Sequence, residues 1–464
     1  MRTNSINFSY LLFLALVSAM GGFLFGYDWV VIGGAKPFYE GYFGIATSPS
    51  LQGWAVSSAL VGCICGAVLS GAVADRLGRK IPLILAAVLF IVSAFGTGYA
   101  DQFTTFIVYR IIGGLGIGLA STLSPLYIAE IAPSQYRGQL VAINQLTIVI
   151  GILAAQIANY NIAEPVIGAM NTEQMLASWN GQTGWRWMFW AEVIPAGLFF
   201  LLMFLVPKSP RFLAKIKQDA AASAVLEKIG GPAYAQRELH SVKQTLQKEH
   251  RPVSLSELRS PKVRPVLLIG VVLAIFQQWC GINIIFNYAD EIFTAAGYSV
   301  GDMLFNIVIT GSVNLVFTVV AMRTVDRWGR RRLMLFGALG LALVYALLGG
   351  AYFLEFTGWP VLVLVVIAIA VYAMSLAPVT WVVLSEIFPN RLRGLAMSIA
   401  TFSLWVASFV LTFTFPLLNA TLGSYGTFWL YSIICGLGYV FIKSKLPETK
   451  EKSLEEIERE LTPG

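Results

Sequence analysis

The chain has 464 residues, of which 57% are hydrophobic and 12% charged, with a mean hydropathy of +0.71. Soluble domains carry about 25% charged residues, so the composition excludes that class and indicates a membrane protein. A net charge of +7 invites a nucleic-acid partner, but the basic residues are distributed as a membrane topology distributes them, and none is expected.

The first apolar run, Phe13 to Ala35, follows a short polar N-terminus and contains Val17-Ser18-Ala19, which loosely fits a signal-peptide cleavage site. The run continues through Gly26 with no soluble domain behind it, so it reads as a first transmembrane helix. Inside it stands Asp28. A charge near mid-bilayer costs about 2.5–3.5 kcal/mol on insertion scales and commonly marks an ion path or a counter-charge. The alternative is a structural ion pair between helices.

Hydropathy places helices near 10–34, 51–74, 81–100, 103–130, 138–160 and 186–206. After a polar stretch, six more lie near 262–296, 300–324, 332–354, 360–388, 393–419 and 424–446. Helix is the expected form, because lipid offers no partner to unpaired backbone groups. Of the 32 Lys and Arg, all but Lys36, Arg110 and Arg186 fall in the termini and the even-numbered connections, which puts both termini in the cytoplasm.

Two motifs recur. Asp75-Arg76-Leu-Gly78-Arg79-Lys80 between helices 2 and 3 returns as Asp326-Arg327-Trp-Gly329-Arg330-Arg331 between helices 8 and 9. Glu130-Ile-Ala-Pro133 with Arg137-Gly138 returns as Glu386-Ile-Phe-Pro389 with Arg393-Gly394. Two motifs at nearly one offset indicate a parallel repeat of six helices, a transporter arrangement with its substrate site near the midplane.

Arg110 lies within helix 4 and is the natural counter-charge for Asp28, since pairing offsets much of the cost of burying each. The following Gly113-Gly114-Leu-Gly116-Ile-Gly118 superficially suggests a dinucleotide loop, but no strand precedes it, and small residues at this spacing let membrane helices approach. The polar stretch 207–261 is expected to form short amphipathic helices from 220–229 and 233–246, and Ser453 to Leu461 a short capped helix. Helix 7 supplies Gln277, Gln278 and Asn283, with Asn287 beyond. Amides donate and accept, which suits a polyol. On a straight helix Gln278 and Asn283 diverge by about 140°, but Gly281 between them permits a break. Interhelical amide bonding is the competing explanation.

The four cysteines, Cys63, Cys65, Cys280 and Cys435, lie in apolar runs and read as small packing residues. His240 and His250 share a polar loop without further ligands, so no metal or cofactor is expected, nor is there a nucleophile–base pair that would make the chain an enzyme.

Gly21-Gly-Phe-Leu-Phe-Gly-Tyr-Asp28, Tyr109-Arg110-Ile-Ile-Gly-Gly, Pro125-Leu-Tyr-Ile-Ala-Glu130, Phe276-Gln-Gln-Trp-Cys-Gly281-Ile-Asn283, Leu384-Ser-Glu386-Ile-Phe-Pro389 and Pro447-Glu-Thr-Lys450 occur in this order. Together they resemble the sugar porter family of the major facilitator superfamily, over nearly the whole chain. That family includes bacterial xylose–proton and galactose–proton symporters and animal glucose facilitators. The resemblance implies an all-α membrane protein of twelve transmembrane helices. Its two six-helix halves would be residues 1–206 and 262–446, with a cytoplasmic linker at 207–261 and a cytoplasmic tail at 447–464.

It further implies proton-coupled import of a monosaccharide, pentose or hexose, by alternating access in the inner membrane. The working unit is expected to be a monomer. Asp28 and Arg110 would be the coupling pair; the passive glucose facilitators lack a carboxylate at the Asp28 position. Asp75, Arg76, Arg79, Glu130 and Arg137, with Asp326, Arg327, Arg330, Glu386 and Arg393, look like two cytoplasmic charge clusters that latch the halves. Gln277, Gln278, Asn283, Tyr288 and Asn314 match the family's sugar-binding positions, and Phe25 and Trp405 would wall the site. Departures are Lys208 where the family has an acid, and Ile152, Leu376 and Leu404 where xylose symporters have a glutamine, a tryptophan and an amide. Gln156, one turn from Ile152, is a compensating candidate without a family counterpart. Competing functions are a passive facilitator, a sugar sensor, which the short tail after Leu446 disfavours, and drug export, which the helix-7 amides disfavour.

Overall fold

The computed structural model describes residues 6–166, 172–248, 257–261, 263–389, 392–450, 452 and 456. Among them the regular elements are helices. The first six spans are Phe8–Tyr42, Pro49–Leu77, Lys80–Tyr99, Phe103–Ile131, Arg137–Ile162 and Asn180–Leu205. The seventh to tenth are Arg264–Asn287, Val300–Val325, Arg330–Phe353 and Trp359–Ile387. A final run, Arg393–Lys445, turns at Gly423, whose φ of 67° suits a residue without a Cβ, and so supplies the eleventh and twelfth spans. Twelve spans result, as the hydropathy pattern predicts.

Three differences from that pattern have physical causes. The first span runs on to Tyr42, through Pro37, because Lys36 is buried against Glu40 and two acids of the seventh segment and need not end the helix. The sixth begins earlier, at a π-helical turn over Asn180–Gly184. The seventh breaks at Gly281 (φ 85°) and again at Tyr288 (φ −128°). Of the cysteines, Cys65 is exposed on the outside of its helix and is not a packing residue; the other three are buried, and all four are free.

Small residues set the helix spacing. A Cβ on Gly114 or Gly118 would collide with the backbone of the second span at Ala59 or Cys63, which accounts for the glycine run after Arg110. Three such approaches join the two sets of six spans: Gly33 against Phe286, Gly53 against Phe413, and Gly311 against Gln156. All lie toward the face opposite the linker. The molecule is therefore closed on that far face.

The linker folds as Pro210–Lys215, Asp219–Gly230 and Pro232–Lys248. Ser209 caps the first of these by accepting from the Phe212 amide at 3.3 Å. They dock on the first six spans, through Phe212 beside Gly78 and the Asn7 amide on the Ile229 carbonyl at 2.7 Å. The expected helix at Ser453 to Leu461, and His250, fall outside the described residues apart from Glu456.

Candidate functional site

Asp28 and Arg110 face one another between the first and fourth spans, 1% and 2% exposed. Arg110 Nη1 donates to Asp28 Oδ1, and Nη2 reaches the Asp28 carbonyl at 3.4 Å. The guanidinium also lies over the Phe189 ring, 5.8 Å from its centre. Gly113, one turn along from Arg110, leaves the space that Asp28 Oδ2 occupies, since a Cβ there would sit 2.6 Å from it. Glu192 is buried beside them and feels both charges. Hydropathy counted it as part of an apolar span; the overlooked signal is a second acid inside a membrane helix. Two carboxylates and one guanidinium in a dry site leave one negative charge uncompensated when all are ionised, so the cluster is suited to hold a proton.

The break at Gly281 resolves the divergence of the helix-7 amides. Asn283 Nδ2 donates to Gln278 Oε1, Gln278 Nε2 to Gln277 Oε1, and Gln277 Nε2 to the Tyr372 hydroxyl at 2.7 Å. Tyr372, on the tenth span, was not distinguishable in sequence from the aliphatic residues around it. Phe25 and Trp405 approach to 5.9 Å between ring centres, and Trp29 joins them at 6.1 and 6.0 Å. Trp29 lies one turn above Phe25, a spacing that could have revealed it.

Other expected residues are placed differently. Tyr288 is fully buried; its hydroxyl donates to the Thr412 carbonyl at 2.7 Å, its ring packs on Phe415 at 4.7 Å, and Lys36 of the first span stands 5.3 Å over that ring, so in this state it belongs to the closed far face. Gln156 lies at the contact with Gly311, and Asn314 is buried on the eighth span. Leu376 packs against Gly337 and is wholly buried. Leu404 and Ile152 are buried as well. A valine at Gly281 would have to adopt φ 85° and press on the Tyr431 ring. Gly281→Val should therefore lower the melting temperature and abolish sugar binding, by a left-handed cost of about 1–2 kcal/mol plus the clash. Thermal unfolding and calorimetry of the purified variant check this.

On the linker face, two ion pairs each join members of one half. Arg79 meets Glu130 at 2.8 Å, and Arg330 meets Glu386 at 3.2 Å. Lys215 of the linker holds Asp75 at 2.8 Å. Arg137 donates to the Ala129 carbonyl at 3.0 Å and Arg393 to the Phe388 carbonyl at 3.4 Å. The start of the tail completes the second cluster: Glu448 accepts from the Arg330 amide at 2.9 Å, Thr449 donates to Glu386 at 2.6 Å, and Lys450 to the Arg327 carbonyl at 3.1 Å. Arg76 is exposed, and the Asp326 side chain lies outside the described residues. Lys208 sits 5.9 Å over the Phe212 ring, inside the docked linker.

Residues 14–461 match a family described as "Sugar (and other) transporter". The chain is a sugar porter of the major facilitator superfamily. The D-xylose-proton symporter of Escherichia coli (strain K12) is 39% identical, over 97% of this chain and 96% of that one. The arabinose-proton symporter of Bacillus subtilis (strain 168) is 37% identical, over 98% and 96%. A partially occluded inward-open structure of the xylose transporter from E. coli superposes with a TM-score of 0.84, at 38% identity, covering 96% of this chain and all of that one. In this sugar porter the far face is closed through Gly33, Gly53 and Gly311.

Proposed function

We infer that the protein imports a monosaccharide together with a proton by alternating access. The buried Asp28–Arg110 pair carries this reading: a carboxylate inside a membrane helix, with its counter-charge on a neighbouring helix, can exchange that partner for a proton. Both curated relatives are named as sugar–proton symporters. Protonation of Asp28 frees Arg110 and uncouples the first span from the fourth; loss of the proton restores the pair. Glu192 tunes the proton's affinity through its charge.

Gln277, Gln278 and Asn283 bind sugar hydroxyls, with Asn314, and Phe25 and Trp405 take the apolar face of the ring. Tyr288 and Gln156 contribute when the far face opens and releases them from the contacts between halves. Arg79, Glu130, Arg330 and Glu386, with Asp75, Arg76, Arg137, Asp326, Arg327 and Arg393, form the latch of the linker face, which engages across the halves when that face closes. The linker face is cytoplasmic, with both termini there, in the inner membrane. The halves are 1–206 and 262–446, joined by the 207–261 linker and followed by the 447–464 tail. The unit of transport is the monomer, without nucleic acid or cofactor. The sugars named for these two relatives are pentoses, so a panel opens with xylose and arabinose, followed by hexoses. Counterflow in proteoliposomes identifies the substrate; no exchange of any monosaccharide would contradict the reading.

A further inference from the structure

The far face is held by an ion cluster separate from Asp28. Lys36, 1% exposed, places its ammonium 3.1 Å from Glu40, 2.9 Å from Asp290 and 2.8 Å from Glu291. It also stands 5.3 Å over the Tyr288 ring. Gln52 of the second span donates to Glu40 at 3.1 Å, and Asn419 of the eleventh to Glu291 at 2.9 Å. Four spans from both halves thus converge on one ammonium. The remaining titratable neighbours are Tyr39 and Tyr288; Arg110 acts on Tyr39 from deeper, but it is held by Asp28.

Three carboxylates surround a single cation, so full ionisation leaves the buried cluster with two uncompensated negative charges. Asp290 Oδ1 is buried with no hydrogen-bond partner. When the far face opens, the halves part at Lys36, and Asp290 and Glu291 separate from Lys36 and Glu40 into water, where each carboxylate is stable as the anion. Closure gathers them again in a dry site, where one negative charge is most cheaply removed by a proton.

We propose that Lys36 is the pin of the far-face gate and that its carboxylate cluster binds one proton each time the gate closes. The proposal rests on the alternating-access reading. The proton enters from the far side and returns to it on reopening, so it adds nothing to the coupling stoichiometry; it biases the resting conformation according to the pH on that side.

Spin labels at exposed Thr47 and Thr421, introduced as Thr47→Cys and Thr421→Cys with Cys65→Ser, report the width of the far face in nanodiscs by electron–electron resonance. Asp28→Asn in the same chain removes titration of the coupling site. The expected result is a short distance at low pH that gives way to a longer one as pH rises. The closed-to-open ratio should change by up to about tenfold per pH unit, the limit for one proton. Asp290→Asn, which imitates the protonated acid, should keep the short distance to higher pH with a flatter profile. Lys36→Met should show the long distance at neutral pH, with Lys36→Arg restoring the short one. An unchanged distribution in Lys36→Met overturns the pin, and a pH-independent distribution in the parent overturns the proton. Because the readout needs neither sugar nor uptake, it is decided separately from the transport assays.

Discussion

Asp28→Asn should abolish sugar accumulation while leaving sugar binding intact. The substitution keeps the shape of the side chain and imitates a permanently protonated acid, so Arg110 loses its anionic partner without a cavity opening between the first and fourth spans. Such a carrier can still bind sugar and exchange it, because the amide chain lies on the seventh and tenth spans. It cannot return a proton during the cycle, so an imposed pH gradient should drive no net uptake. Arg110→Leu should be worse, because it leaves Asp28 and Glu192 buried without a cation; breaking a buried pair this way costs about 3–5 kcal/mol. Initial rates of gradient-driven uptake and of equilibrium exchange, measured side by side, separate the two effects. Equal gradient-driven uptake by Asp28→Asn and wild type would remove Asp28 from the coupling step.

Gln278→Ala should weaken sugar binding by roughly 10- to 100-fold, about 1.4–2.8 kcal/mol in all. Gln278 is the middle of the amide chain: it accepts from Asn283 and donates to Gln277, so its removal strands a donor and an acceptor together. Asn283→Ala strands the Gln278 carbonyl alone and should cost less. A purely interhelical role makes the opposite forecast, a lower melting temperature with unaltered affinity for the sugar that remains bound. Calorimetric titration, with thermal unfolding on the same samples, tells the two apart.

Much of this architecture is written in hydropathy and repeats, because a membrane span must be long, apolar and helical. The Asp28–Arg110 pair was legible for the same reason: a charge in lipid has few places to go. The helix break at Gly281 was legible from a glycine set between amides that had to converge. Less legible were contacts that depend on which helices meet. Lys36 ends an apolar run and reads as a boundary until the seventh segment brings Asp290 and Glu291 to it. Tyr372 looks like an ordinary member of its span until Gln277 stands beside it, whereas Glu192, an acid inside a membrane helix, was a signal that hydropathy averaged away. Tyr288 has a composition suited to a sugar site, yet in this state its hydroxyl is bound to Thr412, a property of the conformation that no sequence pattern encodes.

The most direct test of proton-coupled import is sugar uptake into proteoliposomes under an imposed gradient, with the outside more acidic than the lumen. The account predicts transient accumulation of the sugar above its external concentration, collapse of that excess on adding a protonophore, and alkalinisation of the outside medium when sugar is supplied without a gradient. Uptake that reaches only equilibrium, with no proton movement and no effect of the protonophore, would contradict it.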